Sequence, residues 1–105
     1  MNSALFVYVT TADTAEAERI GRAVVEERLA ACANILPGMR SIYRWEGAVQ
    51  DAAETVLILK TTRDRLPALT RRVASLHSYD VPCVAAFAVE PGNEAYFAWI
   101  AASTA

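Results

Sequence analysis

The sequence predicts an α+β domain of the split βαβ plait type, in which two helices cover one face of an antiparallel sheet. Three observations support this. The elements follow the order strand, helix, strand, strand, helix, strand and short terminal helix (βαββαβ plus one helix), the middle strands form a long hairpin, and 105 residues suit one domain over positions 1–105. Right-handed crossovers would place both main helices on one face. The opposite face would then carry no helix of this chain, and its apolar side chains would need to be buried against another subunit.

The chain opens with a strand followed by an amphipathic helix. Residues 4–10 form a continuous apolar, β-branched and aromatic run, which is typical of a central strand buried on both faces. Residues 13–16 form the capping box DTAE, and apolar residues at near-helical spacing follow it. We therefore expect a helix over about residues 14–30 whose apolar face packs on the sheet.

The middle of the chain has the pattern of a hairpin that is long for so small a domain. Its first strand covers residues 32–45, with an interruption by Pro-Gly at 37–38. A tight Glu-Gly turn at 46–47 leads into a returning strand over 48–62. The polar pair at 50–51 predicts a bulge or break in that strand.

The last part of the chain predicts a helix, a strand and a second short helix. Leucines and a valine recur at helical spacing over residues 66–76. Pro67 fits there only in the first turn, where its missing N–H needs no partner, so Asp64 is the expected N-cap. A strand over 83–89 follows, and Asn93 would cap the C-terminal helix.

Composition and charge exclude several classes of function. The formal net charge is −2, so the chain lacks the electrostatic footprint of a protein that binds nucleic acid or an anionic membrane. No apolar run reaches the roughly 18 residues of a membrane helix, and the start shows no leader pattern. Two cysteines in such a chain fit a reducing cytosol better than a disulfide scaffold. We expect a cytoplasmic protein without nucleic-acid or membrane partners.

The apolar content predicts self-association. Apolar residues make up 54% of the chain and charged residues 21%, against averages of about 45–50% and 25% in soluble proteins. Together with the uncovered sheet face, this surplus indicates that part of the surface is buried against other subunits. The long hairpin is the expected contact element.

Several short motifs follow one another along the chain. They are EERLAACANI at 26–35, SIYRWEG at 41–47, LKTT at 59–62, HSYDVP at 77–82 and GNEAY at 92–96. In this order and spacing, from about residue 5 to 103, the chain resembles the CutA family of divalent-cation tolerance proteins. The resemblance implies a ferredoxin-like fold, a cytoplasmic homotrimer similar in plan to PII signalling proteins, and a role in tolerance of copper or another divalent metal ion. Two positions depart from the family: Val9 stands where some members have a copper-linked cysteine, and Cys83 stands where members often have Glu.

Topology sorts the chemically active side chains between the two ends of the sheet. His77, Tyr79 and Cys83 belong at the end where the first strand finishes, whereas Cys32 and Lys60 belong at the opposite end. His77 and Cys83 are the candidate metal ligands, and their soft donors favour Cu(I) or Zn(II). Cys32 is a third candidate that would join them only between subunits. Each also has a structural interpretation, because a histidine after a helix caps carbonyl groups and a lone cysteine often packs as a small apolar residue.

A second group of candidates fits a ligand cleft. It comprises Tyr43, Trp45, Tyr79 and Lys60. The two hairpin aromatics, Tyr43 and Trp45, either stack on a ligand or, more typically, pack in a subunit contact. Lys60 binds an anion or closes a salt bridge between subunits. The open alternatives are therefore a metal-binding tolerance protein and a PII-like trimer that senses a small anionic ligand at subunit clefts.

The sequence offers little for an enzyme. It shows no phosphate loop, dinucleotide fingerprint or paired-cysteine zinc spacing. A Cys–His nucleophile pair would also need an orienting group and an oxyanion site, and no glycine-rich elbow accompanies Cys83. We expect no enzymatic activity and no organic cofactor.

Overall fold

The computed structural model describes residues 3–105. The first two residues, which belong to the start of the chain where no leader pattern was found in the sequence, lie outside the described residues. The predicted element order is confirmed. The elements are β1 (Ala4–Thr11), α1 (Thr14–Glu26), β2 (Cys32–Trp45), β3 (Ala48–Thr62), α2 (Leu66–Leu76), β4 (Val84–Ala88) and α3 (Glu94–Ser103), with a 3-10 turn at Arg63–Arg65 before α2.

The four strands form one antiparallel sheet in the order β2-β3-β1-β4. This order, with helices in the β1–β2 and β3–β4 crossovers, is the predicted ferredoxin-like split βαβ plait. β3 pairs with β1 only as far as Thr55 opposite Thr11. Beyond that point the β2–β3 hairpin continues alone to its turn, with Trp45 opposite Ala48. The hairpin therefore projects past the other strands.

The core lies between the sheet and the two main helices. Its fully buried side chains are Val7, Val9, Leu57 and Leu59 from the sheet, Ile20 and Val24 from α1, and Leu69 and Val73 from α2. These positions follow period 2 in the strands and near-helical spacing in the helices. The helical spacing is as predicted. The prediction that β1 is buried on both faces holds only in part, because buried residues alternate with half-buried ones from Leu5 onward.

Helix α1 begins as predicted and ends earlier than predicted. The Asp13 side chain accepts a hydrogen bond of 2.8 Å from the Glu16 amide, which caps the helix. The helix ends at Glu26 rather than near residue 30, because Arg28 adopts a left-handed φ of 62°. The Leu29 and Ala30 amides then turn back to the Val24 carbonyl, which satisfies the end of the helix.

The hairpin irregularity lies in β2 and not in β3. The register shifts between Leu36 and Met39, around the Pro-Gly pair. The bulge predicted at Gln50 and Asp51 is wrong, because both residues pair without a break. Their side chains are exposed on the projecting hairpin, where a polar group remains hydrated and does not disturb the ladder.

Two predicted boundaries also shift. Asp64 is not the N-cap of α2, because it lies inside the 3-10 turn that precedes the helix. Pro67 does occupy the first turn of α2. Strand β4 is shorter than predicted and begins at Val84, so Cys83 belongs to the loop before the strand.

The prediction that no helix covers the second sheet face is wrong at one end. Helix α3 returns across that face, and its Ile100 is buried with Ala4 and Ala31. This apolar helix needs a surface on which to pack, and the sheet face is the nearest one. The rest of the face stays open, with Leu36 50% and Phe87 58% exposed.

Candidate functional site

A cleft of about 500 Å³ lies where the projecting hairpin meets the loop between α2 and β4. We call it the hairpin cleft. Three aromatic residues line it, Tyr43, Trp45 and Tyr79, together with Glu54, Asp80 and Cys83. The hairpin supplies one wall and the loop over residues 77–83 supplies the other. Topology predicted that this loop lies at the end of the sheet where β1 finishes, and the projecting hairpin lies at that same end.

Tyr79 joins the two walls of the hairpin cleft. Its hydroxyl donates a hydrogen bond of 2.6 Å to Oε2 of Glu54, whose side chain on β3 is buried. Partial burial of Tyr79, and then the bond to Glu54, raise the pKa of the Tyr79 phenol well above its ordinary value of 10.0. The phenol therefore keeps its proton and acts as a donor over the whole physiological range.

The side chain of His77 is fully buried, and both of its ring nitrogens are hydrogen-bonded. Nδ1 accepts a hydrogen bond of 3.0 Å from the Tyr79 amide, and Nε2 lies 2.8 Å from the Thr10 carbonyl oxygen. Because Nδ1 accepts, Nε2 carries the proton and donates to that carbonyl, which defines the neutral tautomer. His77 thus offers no lone pair to a metal ion in this arrangement, and it serves to join the loop to the end of β1.

Glu16, in the first turn of α1, also holds the loop over residues 77–83 by a hydrogen bond. Its Oε1 accepts a bond of 2.9 Å from the Ala12 amide, and its Oε2 accepts one of 2.8 Å from the Ser78 amide. Burial alone would raise the pKa of the Glu16 carboxyl, but these hydrogen bonds outweigh it and hold the pKa below its ordinary value of 4.5. The carboxylate is therefore ionised, and it fixes the beginning of α1 to the start of the loop.

The two cysteines lie at opposite ends of the sheet, as the topology requires. Cys83 is exposed at the hairpin cleft, whereas Cys32 is partly buried and pairs in register with Lys60. Within residues 3–105, no group of three or more His, Cys, Asp or Glu side chains is placed to hold a metal ion.

Lys60 lies apart from the other cleft candidates. Its Nζ donates a hydrogen bond of 3.0 Å to the Tyr96 hydroxyl and lies 5.1 Å and 5.3 Å from the ring centroids of Phe6 and Tyr96. This cation–π setting under α3 is at the opposite end from the hairpin cleft. Among the described residues that line the cleft, the charged groups are the carboxylates of Glu54 and Asp80.

Glu16 and Glu54 were missed as site residues by the sequence analysis. Glu16 had been assigned only to a capping box, and its reach to the Ser78 amide depends on a contact across 62 positions. Glu54 had no assigned role, although it stands at the start of the most apolar stretch of β3. A carboxylate at such a position is the signal that could have identified it, since a buried charge needs a partner.

Residues 5–103 match the family model described as CutA1 divalent ion tolerance protein. The chain belongs to the CutA1 family. The divalent-cation tolerance protein CutA of Thermus thermophilus is 45% identical over 98 residues, which are 93% of this chain and 95% of that one. The chloroplastic protein CutA 1 of Oryza sativa is 45% identical over 100 residues, 95% of this chain but 56% of that protein. This CutA1-family chain therefore spans about half the length of its plant relative.

Solved structures agree with the family assignment. The structure of the divalent cation tolerance protein from Thermus thermophilus superposes with a TM-score of 0.94 at 43% identity, covering 97% of this chain and 99% of that one. A structure from Archaeoglobus fulgidus, described as a periplasmic divalent cation tolerance protein CutA, has a TM-score of 0.94 at 35% identity, covering 97% and 99%. Both confirm the CutA1 fold. In the part of this chain that is described, no helix has the length and apolar character needed to cross a membrane.

Proposed function

We propose that this CutA1-family chain works as a cytoplasmic homotrimer in divalent-cation tolerance, and that the hairpin cleft is where a copper ion or another divalent metal binds. The observation that supports this most is the charge of the cleft lining, where Glu54 and Asp80 are both acidic. Cys83 adds an exposed thiol at the same cleft. A thiolate beside a carboxylate suits Cu(I) or Zn(II) better than a hard cation.

The metal ligands that we propose from the structure differ from those predicted from the sequence. Both nitrogens of His77 are engaged in hydrogen bonds, so Cys83 and Asp80 replace it as the proposed ligands of this chain. A neighbouring subunit would complete the coordination. Nothing in this proposal requires a chemical step or an organic cofactor, and we propose a binding protein rather than an enzyme.

The proposed trimer is supported by apolar surface that one chain leaves uncovered. On the projecting hairpin, Ile42 is 72%, Val49 63% and Trp45 50% exposed. Side chains of this kind on one extended element indicate a surface that associates. The stoichiometry of three is the one that the family resemblance implies.

A competition titration with Cu(I) tests the metal proposal. Cys83→Ser should bind Cu(I) at least about tenfold more weakly than the wild type, since it removes the thiolate ligand. Cys32→Ser is the matched control, because it makes the same change at the far end of the sheet, and it should bind as the wild type does. If both variants bind Cu(I) like the wild type, the hairpin cleft is not the metal site.

A PII-like sensor of a small ligand is the second candidate, supported by the aromatic walls of the cleft. The anionic ligand expected from sequence fits poorly, because Lys60 lies under α3 and the cleft lining is acidic. A small organic cation would suit Tyr43 and Trp45 better. A melting shift of metal-free protein with such a ligand, and no Cu(I) retention, would favour this candidate.

A further inference from the structure

We propose that the hairpin cleft binds an aliphatic diamine, with Glu54 and Asp80 each accepting hydrogen bonds from one of its two ammonium groups. The two carboxylates belong to the two walls of the cleft, Glu54 to β3 of the hairpin and Asp80 to the loop over residues 77–83. The inference rests on the second candidate function, because it names the ligand class of the same cleft.

The size of the cleft suits a small organic molecule. Its volume of about 500 Å³ lies within the range of about 300–1,000 Å³ that is typical of small-molecule sites. A metal ion held by Cys83 and Asp80 would leave the wall that carries Glu54 unused. A ligand with two charged ends contacts both walls.

Glu54 is a buried anion without a cation beside it. Its side chain is 9% exposed, and no Lys, Arg or His side chain among residues 3–105 forms an ion pair with it. Tyr79 donates to Oε2, whereas no described group donates to Oε1. Because no buried side-chain oxygen or nitrogen of the described residues lacks a partner, Oε1 reaches the open space of the cleft. A buried charge is stable when it is paired, so a cation from outside the chain satisfies this carboxylate.

The hydrogen bond between Tyr79 and Glu54 selects a ligand that donates. Tyr79 uses its single hydroxyl proton on Glu54, so its oxygen can only accept from a ligand, as Oε1 of Glu54 does. A primary ammonium group carries three N–H donors and a positive charge, which match both acceptors. A quaternary ammonium group has the charge but no donor, and an anion has the wrong charge.

The remaining lining suits the aliphatic chain and the second ammonium group. Tyr43 lines the cleft, is 43% exposed and makes no ring contact with another aromatic side chain of residues 3–105. Its ring is therefore open to methylene groups or to a cation. Asp80 is exposed at the opposite wall, and none of the described lining residues is Lys or Arg. The second ammonium group thus meets an acceptor and no repelling charge.

Isothermal titration calorimetry of metal-free protein at pH 7, where aliphatic amines are protonated, tests the inference. Diaminobutane with an amine at each end should bind more tightly than butylamine, which has one ammonium group. Neutral butanediol, anionic succinate and the fully N-methylated, bis-quaternary analogue of the diamine should bind at least about tenfold more weakly than diaminobutane. Equal binding of the diamine and its bis-quaternary analogue, or no binding of the diamine, would overturn the inference.

Three variants locate the diamine. Glu54→Gln should weaken diaminobutane binding at least about tenfold, because it removes the charge but keeps an acceptor for Tyr79. Asp51→Asn is the matched control, since it removes the same charge from β3 outside the cleft, and it should bind as the wild type does. Asp80→Asn, on the exposed loop, should weaken diaminobutane and leave butylamine unchanged. If Glu54→Gln or Asp80→Asn binds diaminobutane like Asp51→Asn, the assignment of the two carboxylates is wrong.

The result is separable from the fate of the proposed functions, because no metal is added. Protein that binds Cu(I) but not diaminobutane would keep the metal proposal and contradict the diamine. Protein that binds the bis-quaternary analogue or succinate in place of diaminobutane would keep the small-ligand sensor and contradict the diamine. Binding of diaminobutane that depends on Glu54 supports the inference whether or not Cu(I) is retained.

Discussion

Removal of the Tyr79 hydroxyl is the sharpest perturbation of the cleft. In Tyr79→Phe the Glu54 carboxylate, 9% exposed, loses a donor at 2.6 Å. A hydrogen bond to a charged acceptor contributes about 1.5–3 kcal/mol. We therefore expect the free energy of unfolding to fall by about 2 kcal/mol at pH 7. Chemical denaturation at one fixed protein concentration measures it, because association would otherwise shift the transition.

Tyr8→Phe is the matched control for this experiment. The Tyr8 hydroxyl also bonds within the chain, but its partner is the Met39 sulfur at 3.3 Å, which is a weak acceptor. Removal of the Tyr8 hydroxyl should lower the free energy of unfolding by less than about 1 kcal/mol. If Tyr79→Phe is no more destabilising than Tyr8→Phe, the bond between Tyr79 and Glu54 does not hold the cleft together.

The pH dependence of this pair has a definite sign. Folding raises the pKa of the Tyr79 phenol above 10.0, so its contribution to stability is complete below about pH 10 and is lost as the pH rises further. The stability difference between wild type and Tyr79→Phe should therefore be constant from pH 7 to 9 and shrink above pH 10. A difference that grows above pH 10 would contradict the assignment of the phenol as donor.

Three further predictions concern the loop support, the helix packing and the assembly. Glu16→Gln should lower the free energy of unfolding by about 1–3 kcal/mol at pH 7. Folding lowers the pKa of this carboxyl below 4.5. The stability difference between wild type and Glu16→Gln should therefore shrink as the pH falls below 4.5, and chemical denaturation at pH 7 and below pH 4.5 measures it. Gly21→Ala should destabilise the protein by up to about 2 kcal/mol in the same assay, because its Cβ would lie 3.0 Å from the Ala33 Cβ and crowding outweighs the helix gain. Trp45→Ala should dissociate the proposed trimer in light scattering while the circular dichroism spectrum stays folded; an unchanged mass would count against the hairpin as contact element.

Most of the fold could be predicted from local patterns. The continuous apolar run of β1 and the helical spacing of apolar residues in α1 and α2 are present in the sequence itself, so these elements could be predicted from it. The end of α1 was misplaced, because an arginine in left-handed conformation at position 28 leaves no propensity signal. The position of α3 could not be predicted either, since its aromatic residues give it no single apolar face.

The candidate site was predicted in its location and not in its bonding. Topology alone grouped His77, Tyr79 and Cys83 at one end of the sheet. It could not show that the His77 nitrogens are both engaged, because one partner is a backbone carbonyl 67 positions away. The hydrogen bond between Tyr79 and Glu54 could not be predicted either, because it joins two side chains that lie 25 positions apart in the sequence. Long-range polar contacts depend on side-chain geometry, which residue patterns do not carry.

The most direct measurement is anomalous diffraction at the copper edge from crystals soaked with copper. The proposed function predicts a peak in the hairpin cleft beside Cys83 and Asp80, with the remaining ligands from an adjacent subunit. A peak at Cys32, or an ordered structure in which the cleft holds no copper, would contradict it.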